Sequence, residues 1–567
     1  MKFKPHDYQE TTIDFLQDHK RGLVILDMGL GKTVSSLTSI KLSMFPTDGS
    51  EPRYKRPLII APKIVSENTW ANELGKWDHL KNLKYIEIDS NDTRLRLKQF
   101  DNVRDGVITI MSESKIQWLV DMLDNDMLED NGREWPWDCV FIDEISLFKS
   151  PKSKRFQNLR KKLQNRVTHV YGLTGTPAPN DLSDLWAIML LIDKGQRLGT
   201  KKAHFNKKYC RGIKIKIDGG NQEITNYKVA EEAYESVLED IEDICIAMKA
   251  EDYLEDMPET TITTHEVKLP AETLKLIDDL TVKRVLQLAD NEKHGKTAKI
   301  RRRIEKYQAS GDIKKQRKIP KLEQRIARIK RDEDNEDITL RASHIFSLIS
   351  IGRQLAGGAV YEAIPDDLIG EDGDPDELKR FMKKRRVIKD NKSKLETLRD
   401  IVDGTNDNVL IFYHFKHEAK RIKKLYPEAK FLNTDNSRRI IPQWNSGNIR
   451  VLLANPASTK FGLNMQDGGH TIIWYGLDYS FEKYVQSNAR LARQGQKHPV
   501  DVHVLAATDT IDVDIKKAIV EKSDVNDFVY DSLGTGDKRA RAELKDAAAK
   551  NIQRAFEDAT GRRVKFK

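Results

Sequence analysis

The sequence predicts an α/β fold of two parallel-sheet lobes, with a largely helical and basic insertion between them. Short apolar runs recur early in the chain, similar runs recur late, and a helical, charged stretch separates the two sets. Bounded apolar runs that alternate with helix-like segments are typical of a parallel sheet covered on both faces. The early runs are Leu23–Asp27, Leu58–Ala61, Val107–Met111, Val140–Asp143 and Val170–Thr174, and the late runs are Val409–Tyr413, Val451–Ala454, Thr471–Tyr475 and Val502–Leu505.

The length of the chain favours more than one domain. Its 567 residues exceed what one ordinary hydrophobic core accommodates. We therefore expect a first lobe at 1–200, a helical insertion at 201–386 with a basic protrusion at 293–331, a second lobe at 387–530, and a charged C-terminal tail at 531–567.

The net charge of +9 is concentrated in one segment. Between Lys293 and Arg331, sixteen lysines and arginines stand against three acids, so this segment carries +13 and the rest of the chain −4. A mildly acidic body with one basic element is the layout expected of a protein that grips a phosphate backbone. We expect Arg301, Arg302 and Arg303 to contact nucleic acid. The alternative is a solvated charged face, which most charge runs are.

The composition argues against a membrane or secreted protein. The longest strictly apolar run, Leu185–Ile192, has eight residues, far fewer than the roughly 20 that a membrane-spanning helix needs. The N-terminal sequence MKFKP lacks the apolar stretch of a secretion signal. The three cysteines are widely separated and form no Cys-x-x-Cys pair of the kind found in zinc sites. We expect a cytoplasmic protein.

A candidate phosphate loop follows the first predicted strand and precedes a predicted helix. Its residues are Met28, Gly29, Leu30, Gly31, Lys32 and Thr33. Glycines let the backbone wrap an anion, a lysine neutralises phosphate and a hydroxyl can ligate Mg²⁺. We therefore expect ATP and Mg²⁺ as ligands, with Lys32 catalytic and Thr33 on the metal. Leu26 stands where the strict pattern has glycine, so an ordinary glycine-rich turn is the alternative.

A pair of acids ends another predicted strand. Asp143 and Glu144 follow the apolar run that begins at Val140. The carboxyl edge of a parallel sheet places Asp143 beside the phosphate loop, where it can hold magnesium. Glu144 would then orient and deprotonate the attacking water. Taken alone, an acidic pair of this kind is as typical of a surface turn.

The ordered set of motifs resembles superfamily 2 helicase-like ATPases, most closely the Swi/Snf-type DNA translocases. The resemblance spans residues 5 to 515. In its compactness the chain is similar to bacteriophage or bacterial members of the family. The motifs that carry it are PHDYQ at 5–9, DMGLGKT at 27–33, LIIAP at 58–62 with Trp70 and Trp77, GLTGTP at 172–177, NDLSDLW at 180–186, VLIFYH at 409–414, GLNMQ at 462–466 and QSNARLARQGQ at 486–496.

The resemblance implies two RecA-like lobes that close on one nucleotide. It implies that Gln9 contacts adenine and that Arg490 and Arg493 reach ATP from the second lobe. Backbone-gripping loops of such a motor would include Lys63, Thr459 and Lys460. The expected partner is double-stranded DNA, bound without sequence preference. We expect the protein to be a monomer and to make no contact with a membrane. The sequence does not indicate any protein partner.

Departures from the family pattern leave other functions open. Ile145 and Ser146 replace the usual Ala-His after the acidic pair, and Ala489 and Ala492 replace a usual Asp and His. One alternative is a strand-separating or branch-remodelling helicase, which would share every ATP motif. Another is a DNA-binding scaffold whose nucleotide site is inactive.

Overall fold

The computed structural model describes most of both lobes. The described residues are 1–63, 65–128, 134–216, 223–254, 257–279, 342–362, 387–389, 391–433, 435–459 and 463–534, with isolated positions at 304, 308, 319–320, 323 and 380–381. The predicted basic protrusion at 293–331, apart from five of those isolated positions, and the tail beyond 534 lie outside the described residues. The predicted nucleic-acid contacts Arg301, Arg302, Arg303 and Lys460 lie outside them as well.

Lobe 1 is built on a seven-stranded sheet of order β3-β4-β2-β5-β6-β1-β9. Every neighbouring pair in it is parallel. The strands are β1 (Arg21–Leu26), β2 (Pro57–Ala61), β3 (Lys84–Ile88), β4 (Val107–Ser112), β5 (Cys139–Asp143), β6 (His169–Thr174) and β9 (Cys245–Met248). The helices are α1 (Asp7–Asp18), α2 (Lys32–Met44), α3 (Trp70–Lys76), α4 (Thr93–Phe100), α5 (Ile116–Leu128), α6 (Lys154–Arg166), α7 (Asp184–Ile192), α8 (Lys202–Tyr209) and α9 (Tyr234–Glu239).

Lobe 2 is built on a six-stranded parallel sheet of order β10-β17-β16-β13-β15-β14. Its strands are β10 (Thr260–Val267), β13 (Val409–Phe412), β14 (Lys430–Leu432), β15 (Val451–Ala454), β16 (Thr471–Trp474) and β17 (Val500–Ala507). The helices of this part of the chain are α10 (Ala342–Ala356), α11 (Ser393–Asp403), α12 (Lys416–Leu425), α13 (Ser437–Asn445), α14 (Phe481–Asn488) and α15 (Ile511–Leu533).

The two sheets confirm the predicted α/β class with two parallel-sheet lobes. Side chains of successive strand residues point to opposite faces, and helices cover both faces. In β1, Leu23 and Ile25 enter one core of lobe 1 while Val24 and Leu26 enter the other. The central strands are therefore buried on both sides, which is why they read as continuous apolar runs.

The segment 201–386, which the sequence predicts to be a largely helical insertion, also contributes strands to the sheets of both lobes. Its strand β9 pairs with β1 in the sheet of lobe 1, and its strand β10 pairs with β17 in the sheet of lobe 2. The segment also contains an antiparallel hairpin of β7 (Cys210–Lys216) and β8 (Glu223–Val229). Its strand β11 (Ala359–Tyr361) pairs with β12 (Val387–Lys389) in a second antiparallel pair. Four residues of β9 are too few for a periodic signal, and the Thr-rich β10 lacks a buried apolar pattern.

Helix α15 connects the two lobes. It starts beside β17 of lobe 2, and its last turns pack in the core of lobe 1 through Val529 and Leu533. Asn526 accepts from the backbone N–H of Ala178 at 3.1 Å and donates to the carbonyl of the same residue at 2.9 Å. The second lobe, predicted to end at 530, thus contributes a helix to the first.

None of the helices in the described part of the chain is both long and apolar enough to cross a membrane.

Candidate nucleotide-binding and catalytic site

Two glycines shape the loop between β1 and α2. Gly29 and Gly31 have φ values of 98° and 73°, which residues with a Cβ rarely adopt. A Cβ built on Gly31 would lie 2.5 Å from Nε2 of Gln9. The loop therefore turns tightly into the N-terminus of α2, where the helix dipole favours an anion.

Lys32, the first residue of α2, lies in a buried pocket of polar groups. Its Nζ donates to the carbonyl of Leu26 at 2.6 Å and to that of Asp27 at 3.2 Å. Burial lowers the pKa of the Lys32 ammonium, and the carboxylates of Glu144, Asp27 and Asp143 oppose this shift. The structure therefore brings Lys32 and both predicted acids into one site of low dielectric constant.

The other loop residues have different environments. The Leu30 side chain is fully buried in the core of lobe 1, so only its backbone can face a ligand. The backbone N–H of Met28 donates to the Asp27 carboxylate at 2.7 Å. Thr33 is half-buried in the first turn of α2.

Asp143 ends β5 at the carboxyl edge of the sheet, as predicted. Its Oδ2 accepts from Nε1 of Trp70 at 2.9 Å. Burial raises the pKa of the Asp143 carboxyl, while Trp70 and Lys32 lower it. Trp70 is one of the residues that carry the family resemblance. Here its indole N–H holds one carboxylate oxygen of Asp143 in place.

Glu144 has a strained backbone. Its φ of 53° and ψ of 55° lie in the left-handed region, which costs energy for a residue with a side chain. Oε1 accepts from Ser146 at 2.8 Å and from Thr174 at 3.1 Å. Ser146, which replaces the family histidine, therefore helps to orient the acid. Burial, and next the charge of Glu482, raise the pKa of the Glu144 carboxyl to about 7.

Gln9 is buried next to the phosphate loop. Its Oε1 accepts from the backbone N–H of His6 at 3.1 Å, and its exposed fraction is 7%. Because Gln9 also packs on Gly31, α1 is positioned by the loop that it borders. This placement is compatible with the predicted contact to a base.

Helix α14 of lobe 2 reaches the acid of lobe 1. Nε2 of Gln486 donates to Oε2 of Glu144 at 3.2 Å. Arg490 follows four residues later, and its Nε donates to the Gln486 carbonyl at 2.9 Å. Burial, together with the nearby Arg493, lowers the pKa of Arg490 to about 9, so the guanidinium remains charged at neutral pH.

The two predicted arginines bind a loop of their own lobe. Arg490 donates to the Leu463 carbonyl at 3.2 Å, and Arg493 donates to the Asn464 side chain at 2.6 Å. The structure thus brings the helix that precedes both arginines to Glu144, while their guanidinium groups contact residues 463–464. Sequence reasoning emphasised the arginines and overlooked Gln486 as the residue in contact.

The predicted DNA-gripping residues have unequal exposure. The side chain of Lys63 is 53% exposed and lies 3.6 Å from Glu67, so it is accessible to a backbone phosphate. Thr459 is fully buried, and its hydroxyl bonds to the Pro456 carbonyl and to Ser487 of α14. The prediction that Thr459 contacts DNA is therefore wrong for its side chain here, because the hydroxyl anchors α14 instead.

The oxygen donors at the site fit magnesium. Thr33 and Asp143 offer a hydroxyl and a carboxylate, the hard ligands that Mg²⁺ prefers. Throughout the described residues, no group of three or more His, Cys, Asp or Glu could hold a metal. Mg²⁺ is usually bound through one or two protein oxygens plus substrate phosphates.

A buried oxygen of the Gln486 side chain also lies at this site. Oε1 of Gln486 is buried and has no hydrogen-bond partner among the described residues. Buried acceptors are seldom left unpaired in proteins. The fold and the site together define a two-lobed α/β protein in which a glycine-rich loop of the P-loop type lies beside an acidic pair.

A model of the SNF2-related domain matches residues 8–319. That range covers more than half of the chain, and the chain therefore belongs to the SNF2-related family of helicase-like proteins. The matched range includes the phosphate loop, the acidic pair and the GLTGTP segment.

Among similar proteins, putative protein p41 of Acyrthosiphon pisum secondary endosymbiont phage 1 is 28% identical over 94% of this chain and 99% of that protein. Bos taurus DNA excision repair protein ERCC-6-like is 33% identical over 34% of this chain and 15% of that protein. A solved Sulfolobus solfataricus SWI2/SNF2 ATPase core in complex with dsDNA covers 94% of this chain and 95% of that chain, with 17% identity and a TM-score of 0.36. The chain thus spans nearly all of the phage relative but a small part of the vertebrate one.

Proposed function

We propose that this protein is an ATP-dependent motor that translocates on or remodels double-stranded DNA. The observation that carries the proposal is the bond from Gln486 of lobe 2 to Glu144 of lobe 1, beside the phosphate loop. Such a contact makes the geometry around the candidate base depend on the spacing of the lobes. A site of this kind can couple hydrolysis to lobe movement.

The residues of lobe 1 would bind and position the substrate. Lys32 and the loop amides would hold the phosphates of ATP, and Gln9 would contact its base. Mg²⁺, held by Thr33 and Asp143, would neutralise charge on the phosphates. Glu144 would accept a proton from the attacking water while Ser146 and Thr174 keep its carboxylate oriented.

The residues of lobe 2 would complete the site. Charge develops on the transferring phosphoryl group and needs additional positive partners. Arg490 and Arg493 would supply them after release from the loop at 463–464. Opening and closing of the lobes would then move the DNA-binding residues of one lobe relative to those of the other.

The proposed partner follows from family membership and charge. Vertebrate relatives of this chain carry the name DNA excision repair protein, and one basic segment of the sequence concentrates a charge of +13. Contacts to the backbone carry little sequence information. We therefore propose salt-sensitive binding to duplex DNA without sequence preference, through Lys63, Lys460 and Arg301–Arg303.

An ATPase panel tests this function. Turnover is measured with duplex, single-stranded, forked and four-way DNA and with RNA, alongside displacement of a labelled strand and a salt titration. We expect strong stimulation by duplex DNA without strand displacement, and affinity that falls steeply with salt. Stimulation by single strands alone would favour a strand-separating helicase. Absence of turnover with every nucleic acid would indicate a scaffold with an inactive nucleotide site.

A further inference from the structure

An ion pair crosses between the lobes next to the catalytic acid. Lys149 follows the short helical turn Ile145–Phe148, directly after Glu144. Its Nζ lies 3.7 Å from Oε2 of Glu482 on α14, and the side chains are 27% and 6% exposed. A pair this well shielded is less screened than a surface ion pair, and removal of one partner leaves a charge that is costly to bury.

The same glutamate holds the glutamine that touches Glu144. Glu482 and Gln486 are one helical turn apart, so their side chains share a face of α14. Nε2 of Gln486 lies 3.5 Å from Oε1 of Glu482 and 3.2 Å from Oε2 of Glu144. An amide NH₂ has two hydrogens, so it can donate one to each carboxylate.

Two carboxylates around one amide repel each other unless a cation offsets their charge. Lys149 is placed to do so, because it contacts Glu482 from the side of lobe 1. Lys149, Glu482, Gln486 and Glu144 thus form a chain of contacts, the interlobe chain, that begins and ends in lobe 1 and passes through α14.

We infer that Lys149 and Glu482 are positioning residues: their ion pair seats α14 so that the Gln486 amide holds the Glu144 carboxylate in its working orientation. This inference rests on the proposed ATPase function. It gives lobe docking a direct effect on the candidate base, in addition to the delivery of arginines.

Neither residue of the ion pair belongs to the phosphate loop. Their loss should therefore lower kcat while the KM for ATP and the affinity for duplex DNA stay close to wild type. Misplacement of a reacting group by about 1 Å can cost on the order of 100-fold in rate. We expect Lys149→Met to lower kcat by about 10- to 100-fold, since it removes the positive charge that pairs with Glu482 beside Glu144.

The experiment is a double-mutant cycle on the full chain, with duplex-stimulated ATPase turnover as the readout. The variants are Lys149→Met, Glu482→Gln and the two together, with Lys149→Arg as the conservative replacement. Lys483→Met is the matched control, because Lys483 is adjacent on α14 but pairs at 2.7 Å with Asp478 of its own lobe. Thermal unfolding of every variant reports whether it folds.

The cycle separates a positioning pair from two unrelated structural residues. We expect the double variant to be no slower than Lys149→Met, because Glu482→Gln removes the repulsion that the first change exposes. Lys149→Arg and Lys483→Met should stay close to wild type. Wild-type kcat in Lys149→Met or Glu482→Gln, losses that multiply in the double variant, or Lys149→Arg as slow as Lys149→Met would each overturn the inference. An inactive wild type would instead refute the proposed function, and the inference with it.

Discussion

The two lobes form their parts of the nucleotide site in different ways. In lobe 1, Lys32, Asp143 and Glu144 are each held by neighbours at the same edge of one sheet. In lobe 2, Gln486 and Arg490 lie on and just after a single helix, and their positions depend on how α14 sits. Under the proposed function, substrate binding would be a property of lobe 1, whereas turnover would depend on the contact between the lobes.

Replacement of Arg490 in lobe 2 should have the largest effect on turnover. In Arg490→Lys the planar fork of donors is lost while a positive charge remains. An arginine that stabilises the transferring phosphoryl group contributes roughly 10³- to 10⁵-fold to kcat, so we expect kcat to fall by about 10³-fold or more with ATP binding retained. Steady-state ATPase kinetics and nucleotide titration measure both. The exposed Arg439→Lys on α13 is the control, and a kcat near wild type would place the transition-state charge elsewhere.

Replacement of the candidate base Glu144 in lobe 1 should have the next largest effect on turnover. Glu144→Gln keeps the size of the side chain and its contacts with Ser146 and Thr174 but cannot accept a proton. General-base catalysis is worth about 10²- to 10⁴-fold, so we expect kcat to fall by that factor. Duplex affinity, measured by fluorescence anisotropy, should not change. Equal losses of turnover and duplex binding would contradict a catalytic role.

A smaller effect is expected where the lobes are joined. Asn526→Ala leaves the backbone N–H and carbonyl of Ala178 without their bonds to α15. An unsatisfied buried group costs about 1–3 kcal/mol, so the free energy of unfolding should fall by about that amount in urea denaturation. Ser523 is half-buried on the same helix and its hydroxyl donates to Asp527 at 3.4 Å at the surface, so Ser523→Ala should leave the midpoint where it is. An unchanged midpoint in Asn526→Ala would show that α15 does not stabilise the junction.

The effect that is smallest at neutral pH concerns the acid stability of lobe 2. Burial, and next Arg421, lower the pKa of His417 to about 4, whereas an unfolded histidine titrates near about 6.5. The unfolded state therefore binds more protons between these values, and stability is lost as pH falls through that window. His417→Phe should flatten the dependence of the melting temperature on pH between about 6.5 and 4. Parallel curves for variant and wild type would exclude His417 as a contributor.

The sequence by itself determined the two parallel sheets, because strands buried on both faces must be apolar throughout and are visible as runs. It also located Lys32, Asp143 and Glu144, since each follows directly from a strand end or a glycine turn nearby in the chain. It missed β3, β9, β10 and β14, which are the outer strands of the two sheets.

Contacts between distant parts of the chain were decided by the tertiary structure alone. The repeat of Glu482, Gln486 and Arg490 at four-residue steps shows a shared helix face, but nothing local says that this face meets Glu144. The burial of Thr459 against α14, which is 28 residues away, and the contact of α15 with Ala178, which is 348 residues away, are likewise set by packing between separate segments. Local patterns encode strands, turns and helix faces, whereas the partner of each face depends on which surfaces exclude water together.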